Sequence, residues 1–361
     1  RRVPPAVFDY TDGAAGSETT LRRSREAYRR VEFVPRVLRD VATVDTTTTM
    51  LGASSALPFA LAPTGFTRMM HHAGEPAVAR AAQAAGIPYA LSTLGTTSVE
   101  ALAAAVPDAR RWFQLYVWRD RDASAALIAR AQEAGYEALI LTVDTAVGGI
   151  RQRDVRNGLT IPPQLSMRTL AQMAMYPRWW VNALTTDPLE FATLSSTSGT
   201  VGDLLTRVFD ASITAGDIAW LRGVWKGPLM LKGVQSVDDA RVAADLGVDA
   251  IVLSNHGGRQ VDMGGAPLEL LPHVVREVGE RLEVYIDGGV TSGTDIVAAL
   301  CLGARGVLVG RAYLYGLMAG GQDGVARAID ILAKEIRTTM QLIGATSVAD
   351  LSPALVRLRE G

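Results

Sequence analysis

Short apolar runs alternate with amphipathic, alanine-rich stretches along most of the chain. Eight of these runs have the length and the aliphatic or β-branched content of buried strands. They are residues 59–62, 88–91, 112–116, 138–143, 228–231, 249–253, 283–286 and 306–309. Because eight strand–helix units are the number that closes a barrel, the pattern predicts an α/β fold, a (β/α)8 TIM barrel.

The stretches between the runs have helical periodicity, and several of them end at a glycine. The spacing predicts helices at 77–85, 98–106, 123–134, 237–246, 267–278, 294–302, 326–342 and 348–357. Residues 3–31 predict N-terminal helices joined by a short turn at Thr11-Asp12-Gly13. We therefore expect N-terminal helices and then the barrel, in one domain over residues 1–361.

A doubly wound open sheet is the alternative arrangement of alternating strands and helices. Such sheets seldom use eight equivalent units, which favours the barrel. No Gly-x-Gly-x-x-Gly follows any predicted strand. A Rossmann dinucleotide site is therefore not expected.

The connection at about 157–219, after the fourth barrel strand, is much longer than the others. Insertions of this length usually form lids or interaction surfaces. Met, Trp and Arg are mixed along residues 165–181, a pattern that is typical of segments lying on a membrane surface. The favoured alternative is that this face packs on the barrel or on another subunit.

Composition excludes several classes of function. A formal net charge of −1 gives no overall attraction to nucleic acid or to anionic lipid. A single cysteine, Cys301, excludes an internal disulfide framework and fits a reducing compartment. The four histidines show no metal-binding spacing. We expect a cytoplasmic protein, at most peripheral on the inner face of the cell membrane, that binds neither metal nor nucleic acid.

Polar residues follow every predicted strand, which is where barrel enzymes place their chemistry. The run Ala250–Leu253 leads into Ser254-Asn255-His256-Gly257-Gly258-Arg259. His256 can move a proton near neutral pH, and Arg259 can grip a carboxylate. The other strand ends contribute Thr64, Ser92, Gln114 with Tyr116, Thr142 with Asp144, Lys232, Asp287 and Arg311.

The last two strand ends have the composition of a phosphate-binding cradle. Asp287-Gly288-Gly289 and Gly310-Arg311 combine free backbone N–H groups, a following helix start and a cationic side chain. With Lys232 on the same rim, these residues indicate a phosphorylated cofactor that lies across the top of the barrel. Composition does not identify that cofactor.

Several of these segments match one family closely, and the match covers nearly the whole chain. The chain resembles the FMN-dependent L-2-hydroxy acid oxidases and dehydrogenases, most of all the actinobacterial quinone-linked L-lactate dehydrogenases. The most specific match is Ser254-Asn255-His256-Gly257-Gly258-Arg259-Gln260. Others are Ala62-Pro63-Thr64, Phe113–Tyr116, Leu141–Asp144, Leu231–Gly233, Asp287–Gly289, Phe8–Tyr10 and Gly310–Leu317.

The resemblance implies roles for the residues around the reacting acid. His256 would be the general base, with Asp144 fixing its tautomer and Tyr116 bonding the substrate hydroxyl. Arg151 and Arg259 would bind the substrate carboxylate, helped by Tyr10. Counting from Asp144 favours Arg151 for this role over its neighbour Arg153.

The resemblance also implies that FMN is the cofactor. Lys232 would lie beside the ring edge where negative charge develops on reduction. The remaining FMN contacts would come from Ala62, Pro63, Thr64, Ser92, Gln114, Thr142, Ser254, Asp287, Gly288, Gly289, Gly310 and Arg311.

The implied reaction is oxidation of L-lactate to pyruvate with electrons passed to a quinone, carried out by a homotetramer. An oxidase that uses oxygen and yields hydrogen peroxide is the first alternative. A non-redox protein that binds FMN or a phosphate ligand is the second, since fold alone does not define function.

The chain departs from the family pattern at a few positions. Val290-Thr291-Ser292 follows the glycines where many members carry arginine, so one phosphate contact is missing or replaced by a hydroxyl. Leu94 and Gly148 stand where glycolate oxidases have tryptophan and leucine, which implies room for lactate or a somewhat larger acid. Gly65 replaces an alanine, which weakly favours a dehydrogenase.

Overall fold

A computed structural model describes residues 2–158, 174–186 and 209–359. Eight parallel strands close into one barrel, each hydrogen-bonded to the next and the last to the first. The predicted (β/α)8 TIM barrel is therefore confirmed. The strands are Phe59–Leu61 (β1), Tyr89–Ser92 (β2), Arg111–Leu115 (β3), Ala138–Thr142 (β4), Leu229–Val234 (β5), Ala250–Leu253 (β6), Glu283–Ile286 (β7) and Gly306–Val309 (β8).

Helices surround the barrel and cross its top. In the described part of the chain they are Pro5–Asp12 (α1), Thr19–Arg29 (α2), Thr67–Met70 (α3), Gly74–Ala84 (α4), Val99–Ala105 (α5), Arg121–Glu133 (α6), Gln152–Arg156 (α7), Pro177–Thr185 (α8), Gly216–Val224 (α9), Val237–Asp245 (α10), Pro267–Val278 (α11), Gly293–Cys301 (α12) and Arg311–Ile343 (α13). Among these residues, no helix combines the length and the apolar character that crossing a membrane requires.

The barrel interior is filled, so it is a core and not a channel. Small residues such as Ala60 and Ala90 make room for Trp112 and Tyr285, whose rings meet edge to face at 6.3 Å. A hairpin of Thr48–Met50 and Ala53–Ser55 closes the bottom, with Met50 fully buried. A ligand that approaches the barrel axis therefore enters at the top, where the strands end.

The C-terminal segment corrects one prediction. The prediction of a helix at 348–357 is wrong. Two short 3-10 turns occur there instead, followed by a strand, Val356–Leu358, that pairs antiparallel with Val31–Phe33. Proline disfavours helical backbone in the residue before it, and Ser352 is extended ahead of Pro353. A pairing between two ends of the chain leaves no local signal in the sequence.

Two helix boundaries also differ from the prediction. The helix expected at 326–342 begins at Arg311, and a kink at Gly320 and Gly321 interrupts its periodicity. Helix α1 continues through Asp12, so the turn expected at Thr11–Gly13 comes at its end.

The insertion is described only in part, and residues 165–173 of its amphipathic stretch lie outside the described residues. The indole of Trp179, on α8, donates to the carbonyl of Met69 over 2.9 Å. At this residue the segment packs on the barrel, which was the favoured alternative to membrane contact.

Candidate active site

A cavity of about 420 Å³ opens at the carboxyl ends of the strands. Its volume lies in the range of small-molecule and cofactor sites. We call it the barrel-top cavity. Most of the residues singled out from the sequence line it: Tyr10, Ala62, Pro63, Thr64, Ser92, Tyr116, Arg151, Lys232, His256, Arg259, Asp287, Gly288, Gly289, Gly310 and Arg311.

His256 and Asp144 form a hydrogen-bonded pair at the wall of this cavity. The His256 Nδ1 atom lies 3.1 and 3.3 Å from the two carboxylate oxygens of Asp144. The Asp144 side chain is only 2% exposed, whereas that of His256 is 25% exposed. With Nδ1–H donated to the carboxylate, Nε2 is left as a proton acceptor.

The charge state of Asp144 suits this role. Burial alone would raise the pKa of its carboxyl, but the charges of His256 and Lys232 and the hydrogen bond from the imidazole outweigh burial. The pKa of Asp144 is therefore lowered, and the carboxylate is ionised at neutral pH.

Local backbone geometry brings the pair together. Strand β5 carries a bulge next to Gly233, whose φ is +110°. A Cβ on Gly233 would lie 2.7 Å from the Cβ of Asp144, so a larger residue would displace the carboxylate. His256 has a φ of +56°, which is uncommon for a residue with a side chain and often marks a functional position.

Two guanidinium groups and one phenol define the side of the cavity expected to bind a carboxylate. The guanidinium carbons of Arg259 and Arg151 lie 4.9 and 5.5 Å from the ring centre of Tyr10. Arg259 is anchored by hydrogen bonds from Nη1 to the carbonyls of Tyr10 and Gly13. Burial lowers the pKa of Arg259, but arginine keeps its charge in proteins.

The structure separates Arg151 from Arg153. Arg151 lines the cavity and donates through Nε to Asp154, which leaves its two terminal nitrogens for a ligand. Arg153 is absent from the cavity wall and pairs with Asp12 and Glu18 on the N-terminal segment. The geometry therefore favours Arg151 as the carboxylate-binding residue.

Another group of residues at this cavity has donor and acceptor atoms that fit FMN. The Lys232 ammonium lies 3.0 Å from Asp287 and 3.1 Å from the Ser254 hydroxyl. Burial alone would lower the pKa of Lys232, but the carboxylates of Asp287 and Asp144 outweigh it and the pKa is raised. Lys232 is therefore a fixed positive charge, suited to a ring edge that becomes negative.

Two further observations support the fit. The second oxygen of Asp287 is buried without a hydrogen-bond partner in the described structure, so it can accept from a hydroxyl of a polyol chain. A Cβ on Gly310 would meet no atom nearer than 3.9 Å, so this glycine keeps open space where a cofactor can approach the backbone.

Gln114, Thr142 and Ser254 lie beside the cavity and not on its wall. Gln114 accepts from the Ser92 hydroxyl at 2.9 Å and donates to Thr142 at 2.9 Å, which forms a chain across β2, β3 and β4. Ser254 accepts from Lys232 and from the backbone N–H of His256. Direct contacts of these three residues with FMN stay a prediction.

The residues expected to bind the phosphate make contacts that differ in detail from the prediction. Arg311 donates to the carbonyls of Thr11 and Gly13, and burial together with nearby Arg259 lowers its pKa to about 10. Thr291 lines the cavity, but its hydroxyl and N–H both bond Asp295 at the start of α12.

Sequence reasoning missed several residues of the cavity wall, among them Arg25, Phe66, Phe209, Gln260 and Tyr315. Two of them carried a usable signal: Gln260 belongs to the matching segment that begins at Ser254, and Tyr315 belongs to the matching segment Gly310–Leu317. The Gln260 side chain donates to the carbonyls of Asp144 and Val147 and accepts from the N–H of Gly149, each at 3.0 Å. Gln260 therefore joins the loop after β4 to the loop that bears His256.

Comparisons with known proteins agree with this geometry. The family described as FMN-dependent dehydrogenase matches residues 1–358. A Mycobacterium tuberculosis protein, provisionally named an L-lactate dehydrogenase, is 55% identical over 98% of this chain and 85% of its own. An L-lactate dehydrogenase of Caulobacter vibrioides is 43% identical over 99% of this chain and 95% of its own.

Solved structures show the same fold over the whole length. The crystal structure of (S)-mandelate dehydrogenase, described as a monotopic membrane protein, superposes with a TM-score of 0.95 at 37% identity, over 99% of this chain and 96% of that one. A mandelate oxidase variant with an FMN adduct gives a TM-score of 0.85 at 38% identity, over 99% of this chain and 97% of that one.

Proposed function

Because the chain belongs to the FMN-dependent dehydrogenase family, we propose that it oxidises L-lactate to pyruvate and passes the electrons to a quinone. The observation that carries this proposal is that His256, hydrogen-bonded to Asp144, lines the same cavity as Arg151 and Arg259. The names of the bacterial relatives support lactate as the substrate.

Each of these residues has a separate role in the proposed reaction. Arg151 and Arg259 bind the carboxylate and thereby hold C2 and its hydroxyl beside His256. Burial raises the pKa of Tyr116 well above its usual value, so its hydroxyl stays protonated and donates to the substrate oxygen. His256 accepts a proton at Nε2, and Asp144 stabilises the imidazolium. FMN, when bound, accepts the two electrons that leave C2.

Space around the substrate side chain favours lactate or a somewhat larger acid. A Cβ on Gly148 would meet nothing within 4 Å, so this wall is open. Leu94 supplies the other wall, and a Cβ on Gly65 would come within 2.9 Å of the Leu94 Cβ. One methylene is worth only ~1–3 kcal/mol of discrimination, so slow oxidation of glycolate is expected.

An oxidase that delivers electrons to oxygen is the second candidate, and one of the similar structures is an oxidase. Gly65 weakly favours the dehydrogenase over a fast oxidase, because the family resemblance links glycine at this position loosely with dehydrogenase or monooxygenase behaviour. A homotetramer and peripheral membrane contact stay predictions.

In an anaerobic stopped-flow experiment, L-lactate should bleach the FMN absorbance within seconds of mixing. D-lactate should not bleach it. Mixing the reduced enzyme with a short-chain quinone should restore the absorbance much faster than mixing it with oxygen. Absence of bleaching with every L-2-hydroxy acid tested would rule out the proposed oxidation. Reoxidation by oxygen within milliseconds would instead identify an oxidase.

A further inference from the structure

A second cavity of about 420 Å³ lies next to the barrel-top cavity, between α3, α8 and the first part of α13. Met70, which is 2% exposed, lines both cavities, so the two are separated by the thickness of one side chain. The lining combines methionines and aromatic rings with polar side chains. Among the polar ones are the guanidinium groups of Arg2 and Arg68, the imidazoles of His71 and His72, and the amide of Asn182.

The side chains that line this second cavity favour one class of ligand. No aspartate or glutamate lies among its lining residues in the described chain, so the cavity favours an electron-rich or anionic ligand. Trp179, Tyr176 and Met318 offer an apolar surface for a flat ring. The rings of His71 and His72 lie 4.5 Å apart on one edge.

We propose that the second cavity binds the ring of the quinone that receives the electrons. A quinone is a flat apolar ring with two carbonyl acceptors, which matches an apolar lining edged by guanidinium and imidazole donors. The acid loses two electrons and two protons, and the quinone gains the same number to become a hydroquinone, so the exchange needs no other reactant. Histidine can supply protons at this edge.

The location supports the same ligand. Electrons that arrive in the barrel-top cavity need to cross only the Met70 side chain. The cavity is covered by α8 of the insertion, and Met175, just before this helix, and Val181, within it, are exposed apolar residues. A lipid-soluble acceptor could therefore reach the cavity without entering the substrate pocket.

The experiment separates the two half-reactions in the FMN-loaded enzyme. Ala319 is exposed and lines the second cavity, so Ala319→Trp should fill it, and Ala101→Trp on the exposed face of α5 is the matched control. Ala319→Trp should leave bleaching by L-lactate and reoxidation by ferricyanide unchanged, and should slow reoxidation by a short-chain quinone about tenfold or more. His72→Leu, with exposed His273→Leu as its control, should act in the same direction.

This inference rests on the proposed function, and the two fail in different ways. If wild-type enzyme is not bleached by L-lactate, the proposed function fails. If it is bleached and both cavity variants react with quinone at the wild-type rate, only the second cavity is rejected as the acceptor site. Slowed ferricyanide reoxidation in the variants would also reject it, because the change would not be specific to quinone.

A separate observation concerns the phosphate end of the barrel-top cavity. Arg25 of α2 lines this cavity together with Arg311, Gly288, Gly289 and Thr291. Helix α2 packs directly on the glycine loop, since a Cβ on Gly289 would overlap the carbonyl of Ser24. The charge of Arg25 also helps to lower the pKa of Arg311, after burial and Arg259. Arg25 and Arg311 thus place two cationic groups on the wall of the same cavity, where both would stabilise a bound anion.

We infer that Arg25 supplies the phosphate contact that the Val290–Ser292 segment lacks. Its carboxylate partner, Asp12, lies 3.7 Å away and already accepts from Tyr315 and Arg153. The side chain of Arg25 is 39% exposed, so a flexible guanidinium can turn to a ligand in the cavity. Arg25 of α2 thus takes the place of the arginine that many family members carry in the loop after the glycines.

Titration of the apoprotein with FMN and with riboflavin tests this role without using activity. Arg25→Gln should weaken FMN binding by about ten- to hundredfold and leave riboflavin binding unchanged, since riboflavin has no phosphate. Arg23→Gln, on the exposed face of the same helix, is the control. Adding Thr291→Arg to Arg25→Gln should restore FMN affinity. Equal FMN affinity in Arg25→Gln and wild type, or equal weakening for both flavins, would contradict the role.

Discussion

Replacing His256 with glutamine should lower turnover with L-lactate by ~10²–10⁴-fold, the contribution expected of a general base. Glutamine keeps most of the volume of the histidine side chain and can still hydrogen-bond Asp144, but it cannot accept the substrate proton. The yellow colour should be retained, because the proposed role of His256 is on the substrate, whereas Lys232 and Asp287 are the residues proposed to hold FMN. Steady-state turnover and the FMN absorbance spectrum measure the two effects.

The exposed His273 on α11 provides the control. His273→Gln makes the same chemical change far from the cavity and should leave turnover at the wild-type level. Retained turnover in His256→Gln would mean that another group is the base. Loss of FMN from His256→Gln would mean that the residue supports the cofactor instead.

Arg151→Met should reduce kcat/KM for L-lactate by about 10²–10³-fold, because a hydrogen bond between charged groups contributes ~1.5–3 kcal/mol and Arg151 has two terminal nitrogens to offer. Most of the loss should appear as a higher KM. Arg153, two residues further along at the start of α7, gives a matched control. Arg153→Met removes ion pairs with Asp12 and Glu18 that are partly exposed, so it should cost stability of only ~1 kcal/mol.

Kinetics and thermal melting of the two variants separate the roles. Arg153→Met should keep kcat/KM within about threefold of wild type and lower the melting temperature slightly. A larger kinetic loss in Arg153→Met than in Arg151→Met would reverse the assignment made from the cavity wall.

The barrel could be predicted from the sequence because both faces of each strand are buried. Strands such as Ala138–Thr142 and Ala250–Leu253 are buried at every position, so each one is an apolar run with a clear end. The chemistry follows these ends, and so His256, Asp144 and Lys232 could be named in advance. Membership of an FMN-dependent oxidoreductase family also removes the non-redox alternative.

What could not be predicted depends on contacts between distant parts of the chain. Arg25 lies in a helix with several other arginines, and only packing of α2 on the loop at Gly289 distinguishes it from Arg22 and Arg23. The strand at Val356–Leu358 exists because Val31–Phe33 offers a partner. The second cavity likewise requires α3, α8 and α13 to meet, and no one segment signals it.

The hairpin at the bottom of the barrel has a practical consequence. Arg110 holds it in place, donating to the carbonyls of Met50 and Ser54 and to the carboxylate of Glu137. The cavity proposed to bind substrate and cofactor lies at the other end of the barrel, so the lower rim carries none of the residues proposed for catalysis. Engineers who need a heat-resistant form of this oxidoreductase can therefore rebuild this rim, and we expect turnover to stay unchanged.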